Sequence, residues 1–135
     1  MTRRGCILSF ALLAIVVLTA AEGPSISITD PEDRATVSMR PQVSGQVTGE
    51  VASVWVVVHP TGTDGYWVQQ SVRDIQDGKW STRIYIGRPG AIDVDKEYEV
   101  RAVADPEEQL EEGAELKGWP KARAVSAPLR LKRGS

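Results

Sequence analysis

The chain has 135 residues, with 16 basic and 18 acidic side chains, a formal charge of −2 and a single cysteine, Cys6. That length fits one domain. The mild negative charge, with basic residues clustered only in the tail at Arg130, Lys132 and Arg133, excludes nucleic acid as a partner, and one cysteine excludes an internal disulfide framework and a thiolate metal site.

The chain opens with Arg3 and Arg4, runs through an apolar stretch from Ile7 to Ala20 broken only by Ser9 and Thr19, and turns polar at Glu22 and Gly23. This succession is that of a secretory signal. At 14 residues the stretch is shorter than the roughly 20 that a membrane-spanning helix needs. Thr19, Ala20 and Ala21 offer small residues to a peptidase, so cleavage near Ala21 is expected, with an uncleaved anchor as the alternative. The chain thus divides into a signal segment, 1–21, and a domain, 22–135, that holds 14 basic and 18 acidic residues and no cysteine. The expected location is secreted or in the cell envelope or periplasm, with membrane contact only through the N-terminal segment if it is retained. Without cysteine, the domain's stability must come from an apolar core.

Apolar residues then recur with period two, the spacing of half-buried strands, in short runs separated by turn residues. The first run is Ser25 to Thr29, with Ile26 and Ile28 on one face, ended by the turn cluster Asp30-Pro31-Glu32-Asp33. In the second, Gln42 to Thr48, Val43, Gly45 and Val47 alternate with polar residues. The third, Ala52 to His59, is almost continuously apolar and suits a central strand covered on both faces. A turn over Pro60 to Gly65 leads to the fourth, Tyr66 to Gln70, and Asp77-Gly78 turns the chain into the fifth, Lys79 to Ile86, with Trp80, Thr82, Ile84 and Ile86 inward. The sixth, Glu97 to Ala104, sets Tyr98, Val100, Ala102 and Ala104 on one face.

Asp105-Pro106-Glu107-Glu108 combines an N-cap residue, proline at the first helical position and acids in the first turn, with Gly113 as a stop, which predicts one short acidic helix. A loop through Trp119-Pro120 leads to the seventh strand, Arg123 to Lys132, with Val125, Ala127, Leu129 and Leu131 on one face. Seven short strands in a domain of this size predict an all-β, two-sheet antiparallel sandwich.

The stretch Asp95-Lys-Glu-Tyr-Glu-Val-Arg-Ala-Val-Ala104 resembles the sixth strand of fibronectin type III and related immunoglobulin-like domains. The opening, a strand followed by Asp-Pro and then Gln42 to Thr48, is similar to the start of prokaryotic secreted immunoglobulin-like modules. The resemblance spans about residues 24 to 133 and implies an immunoglobulin-like sandwich with Tyr98 as a tyrosine-corner candidate, its hydroxyl bonding backbone a few residues upstream. The chain departs from the pattern in lacking the fibronectin-type tryptophan and a cysteine pair, and in its long insertion, Asp105 to Ala122, before the last strand.

His59, the one histidine, has no nucleophile or acid at catalytic spacing and no metal motif, so no enzymatic activity is expected. Calcium is the one cofactor to consider. In a sandwich Asp30, Glu32, Asp33, Asp64, Asp93 and Asp95 could converge at one end, with Asp30, Asp33, Asp93 and Asp95 as the principal ligands for a cation that needs six to eight oxygens. The same residues are also ordinary turn formers, with Arg34 and Lys96 beside them. Among the aromatics, Tyr66 and Trp67 are adjacent and must point to opposite faces of a strand. Trp67, Tyr85 and Trp55 on a common outer face would make a platform for sugar rings or a partner's apolar patch, with Trp119 in the long loop as a further contact; the alternative puts Trp55 and Trp80 in the core and the others under the long loop, with Trp119 as the shield. The acidic run Glu107, Glu108, Glu111, Glu112 and Glu115 reads as a solvated helix face, with a basic partner as the alternative.

The expected function is that of a non-catalytic extracellular or cell-envelope binding or adhesion module, its partner a protein or glycan at the cell surface. A self-associating structural envelope protein and a carbohydrate-binding module are the alternatives, and the long last loop is the expected partner-specific element.

Overall fold

The computed structural model describes residues 23–135; the expected signal segment, 1–21, lies outside the described residues. In chain order the strands are β1 (Ser25–Asp30), β2 (Ala35–Val37), β3 (Gln42–Thr48), β4 (Val54–Pro60), β5 (Tyr66–Val68), β6 (Lys79–Arg83), β7 (Glu97–Pro106), β8 (Glu115–Leu116), β9 (Ala122–Val125) and β10 (Leu129–Arg133). They form an all-β sandwich of two sheets. The smaller has the order β1-β3-β6, and the larger β2-β10-β7-β4-β5-β8, with β9 pairing β7 off that path. All pairings are antiparallel except that of β2 with β10.

Alternation along each strand builds the interior. Ile26, Val43, Val47 and Trp80 from the small sheet meet Val54, Val56, Val58, Tyr98, Val100, Ala102, Leu129 and Leu131 from the large one, all buried. Gly45 lies opposite Trp80 in the ladder, and a Cβ there would run into the Trp80 ring and the Ser27 carbonyl, so only glycine lets the indole lie flat across β3. The Asp77-Gly78 turn has positive φ at both positions, 53° and 74°, with Gln76 and Lys79 exchanging backbone hydrogen bonds at 3.1 and 2.8 Å. That conformation matches the strand twist and suits the Asp-Gly pair.

A second, smaller core sits on the opposite face of the large sheet. Trp55, Val68 and Val103 are buried there with Leu110 from the long insertion, and Ala114, Leu116 and Ala122 pack against them. Here the continuous apolar run of β4 finds its reason: Val54, Val56 and Val58 face the small sheet, while Trp55 faces the insertion.

The insertion is not helical, and no helix occurs among the described residues. Asp105 takes a left-handed φ of 47°, and its carboxylate accepts the backbone N–H groups of Ala52 and Ser53, each at 3.0 Å, instead of capping its own segment. β7 runs on through Pro106, and the Glu107 N–H donates to the Lys121 carbonyl. Capping residues signal a helix only when the carboxylate stays local, and this one is recruited by the Ala52–Ser53 segment of the same chain.

The expected seventh strand is broken in two. Ser126 interrupts it: its hydroxyl accepts the Ala102 N–H at 2.9 Å and donates to the Ala127 carbonyl, displacing the regular ladder between β9 and β10. β2 and β8 have no counterpart in the period-two reading. Each is too short to show a period, and each is extended because a neighbouring strand supplies the pairing.

Candidate functional site

The three-stranded sheet cannot cover the whole inner face of the larger one. Past β6 the large sheet continues into β5 and β8, and the uncovered margin opens as a cleft of about 850 Å³. Trp67 and Tyr85 both line it. Trp67 pairs with Val58 across β4 and β5, so it shares the inward face that Val58 presents to the small sheet. Tyr85 follows β6, where the Ile84 and Ile86 N–H groups still bond the Pro41 and Met39 carbonyls, so Ile84 and Ile86 point into the core and Tyr85 points away. Both rings keep substantial exposure, 42% for Trp67 and 54% for Tyr85.

Gln69 joins the two walls. Its side chain is buried; Oε1 accepts the Tyr85 N–H at 2.8 Å while Nε2 donates to the Trp67 carbonyl at 3.2 Å. The Arg40 guanidinium lies 3.8 Å from the centre of the Tyr85 ring, in cation–π contact, and Arg83 Nη1 donates to the Arg40 carbonyl at 3.2 Å. Neither guanidinium pairs with a carboxylate among the described residues. Glu97 and Glu112 also line the cleft.

One end of the cleft is held by Asp93. Its buried carboxylate accepts the Arg88 backbone N–H at 2.7 Å, Arg88 Nε and Nη2 at 3.0 Å each, and Lys96 Nζ at 2.9 Å. The Arg88 side-chain bonds, then those from Lys96 and the Arg88 backbone, hold the carboxyl far below its ordinary value of 3.8, and the Arg88 guanidinium is raised in turn. Alongside, the buried Arg133 donates to the carbonyls of Ile86 and Arg88 through Nη1 and to that of Gly90 through Nη2, at 2.7 to 2.9 Å. These two networks lock the segment that carries Tyr85 onto the large sheet.

The calcium expectation does not fit. Among the described residues no three or more His, Cys, Asp or Glu side chains are grouped so as to hold a metal ion. Asp93 is already saturated by two cationic side chains, and Asp33 accepts the Arg130 N–H at 2.8 Å and pairs with Arg34. Asp95 stands exposed near Lys132, while Asp30 ends β1 in register with Ser44. These carboxylates serve turns and ion pairs, each in its own place.

The single aromatic platform is also corrected. Trp55 is buried under the insertion, and Trp119 packs edge-on to Tyr66 at 4.9 Å, with the Arg101 guanidinium 5.2 Å from its ring centre. His59 stacks flat on Tyr66 at 3.9 Å, and its Nδ1 donates to the Gly65 carbonyl at 2.8 Å. Trp119 therefore acts as a shield, whereas Trp67 and Tyr85 line one cleft from different segments and do not share one sheet face. Tyr98 is buried in the core, and burial first, then the Asp93 charge, raises its hydroxyl above the ordinary value. That hydroxyl is directed over Gly87, beside Asp93 and Arg133; a Cβ at Gly87 would come within 2.7 Å of it. Arg40 and Gln69 carry no local sequence signal, since only the folded chain brings them to Tyr85.

No protein-family description matches the chain, and no curated protein does. A chain from the structural study of T cell specificity and activation by the bacterial superantigen toxic shock syndrome toxin-1 superposes with a TM-score of 0.46 at 5% identity, covering 82% of this chain and 99% of that one. At that score the likeness says nothing about function or partner.

Proposed function

We propose that the protein is an exported, non-catalytic binding module of the immunoglobulin-like sandwich class, and that it takes its ligand in the cleft between Trp67 and Tyr85. The class is supported by the grouping of β1, β3 and β6 against β10, β7 and β4, which parallels the division of strands in immunoglobulin-like sandwiches. The exported character rests on the signal-like start, Arg3 to Ala21. The observation that carries the binding role is the exposure of two large aromatic rings that line one cleft, whose volume falls in the range of about 300–1,000 Å³ usual for ligand sites. A non-catalytic role agrees with the position of His59, which is stacked on Tyr66 and tied to a backbone carbonyl away from the cleft.

The test is cosedimentation of the purified protein with isolated cell envelopes of its source organism, for the wild type and for a variant with Trp67→Ala and Tyr85→Ala together. The expected result is loss of retention with the circular dichroism spectrum and melting temperature preserved. Retention that is unchanged in the double variant would sink the assignment of the cleft.

A further inference from the structure

Resting on the cleft reading above, we infer that the ligand is an acidic saccharide of the uronic acid type, with sugar rings that carry a carboxylate and several free hydroxyls. Three features converge on this chemistry. First, the walls offer an indole and a phenol ring, on which the apolar face of a sugar ring stacks. Second, the Tyr85 wall holds Arg40 and Arg83, two guanidiniums without carboxylate partners among the described residues, in a chain whose overall charge is negative. A planar guanidinium is the side chain best matched to a carboxylate. Third, Glu97 and Glu112 also line the cleft. Carboxylates repel a bare polyanion but accept hydrogen bonds from hydroxyl groups, so one cleft that holds both signs selects a ligand with a single acid and many hydroxyls per ring.

A peptide added as an extra strand fits less well. The N–H groups of Ile84 and Ile86 are taken by the Pro41 and Met39 carbonyls, so the remaining donor in this stretch is that of Tyr85, and the Gln69 Oε1 already accepts it at 2.8 Å. A strand docking here would first have to displace a buried side chain.

Titration calorimetry and tryptophan fluorescence with hyaluronate and alginate hexasaccharides, with neutral cellohexaose and poly-glutamate as comparisons, test the assignment. At least one of the two acidic hexasaccharides is expected to bind and to alter Trp67 emission, with cellohexaose weaker by about tenfold or more and poly-glutamate weaker still. Arg83→Gln is expected to weaken acidic-saccharide binding by about tenfold or more while leaving folding intact, as a charge-assisted contact predicts. Tyr85→Ser supplies an independent variant should one substitution disturb the fold. Equal binding of cellohexaose or poly-glutamate, affinity unchanged in Arg83→Gln, or no acidic saccharide bound at millimolar concentration would each overturn the acidic-saccharide assignment. If envelope retention still depends on Trp67 and Tyr85 in that event, the cleft stands and only its ligand class falls.

Discussion

Tyr66 and Trp67 are neighbours on one three-residue strand and end in opposite circumstances. Tyr66 points to the outer face of the large sheet, where His59 stacks on it and Trp119 closes over it from the insertion. Trp67 points inward, past the margin of the small sheet, and stays 42% exposed at the cleft. The alternation of a strand separates the two rings, but what each meets depends on how far the covering layer reaches. The insertion extends over one face, and the small sheet stops short on the other. One ring was therefore covered and the other left at an open cleft.

The contrast breaks most readily at the sealed face. Trp55→Ala removes a buried indole from the second core and is expected to cost about 3–5 kcal/mol in denaturant unfolding, the range for large-to-small core changes. A loss under about 1 kcal/mol would show that the insertion does not pack as a core at all. Leu110→Ala tests the insertion's own anchor, with an expected cost of about 2–3 kcal/mol, and should raise protease sensitivity between Asp105 and Ala122 before the sandwich itself opens.

Asp93 gives a subtler effect, visible as a pH profile of melting temperature. Its folded value is depressed, so its contribution is fully present above the ordinary carboxylate value of 3.8 and is lost progressively as pH falls below that toward its lower folded value. The wild type should therefore lose stability below about pH 4 more steeply than Asp93→Asn, which starts less stable at pH 7. Parallel profiles would mean that Arg88 and Lys96 do not favour the ionised form. Smallest of all, Trp67→Ala should change unfolding free energy by less than about 1 kcal/mol, as for exposed positions. A cost equal to that of Trp55→Ala would make Trp67 part of the core and remove the cleft.

Much of the fold was legible because burial has a simple period in strands. The second run, Gln42 to Thr48, coincides with β3, and the unbroken apolar run around Trp55 foretold a strand covered twice. The legible part ended where local chemistry had two outlets. Asp105-Pro106 reads as a helix start, and the same carboxylate serves as well to hold the Ala52 and Ser53 N–H groups across the fold. Asp30, Asp33, Asp93 and Asp95 read as ligands or as turn formers alike, and the nearby cations Arg34, Arg88, Lys96 and Lys132 decided against a shared metal. For the site, Trp67 and Tyr85 were visible as outward-facing candidates. That they line one cleft was not, and neither were the parts played by Arg40 and Gln69.

By itself, then, the sequence determined the all-β class, the positions of the main strands and which residues of each strand share a face, because a strand's two faces follow from its backbone alone. Tertiary structure decided which faces are covered. That depends on layers brought together from distant parts of the chain: a three-stranded sheet too narrow for its partner, and an insertion that folds back over Trp55 and Tyr66 but leaves Trp67 open.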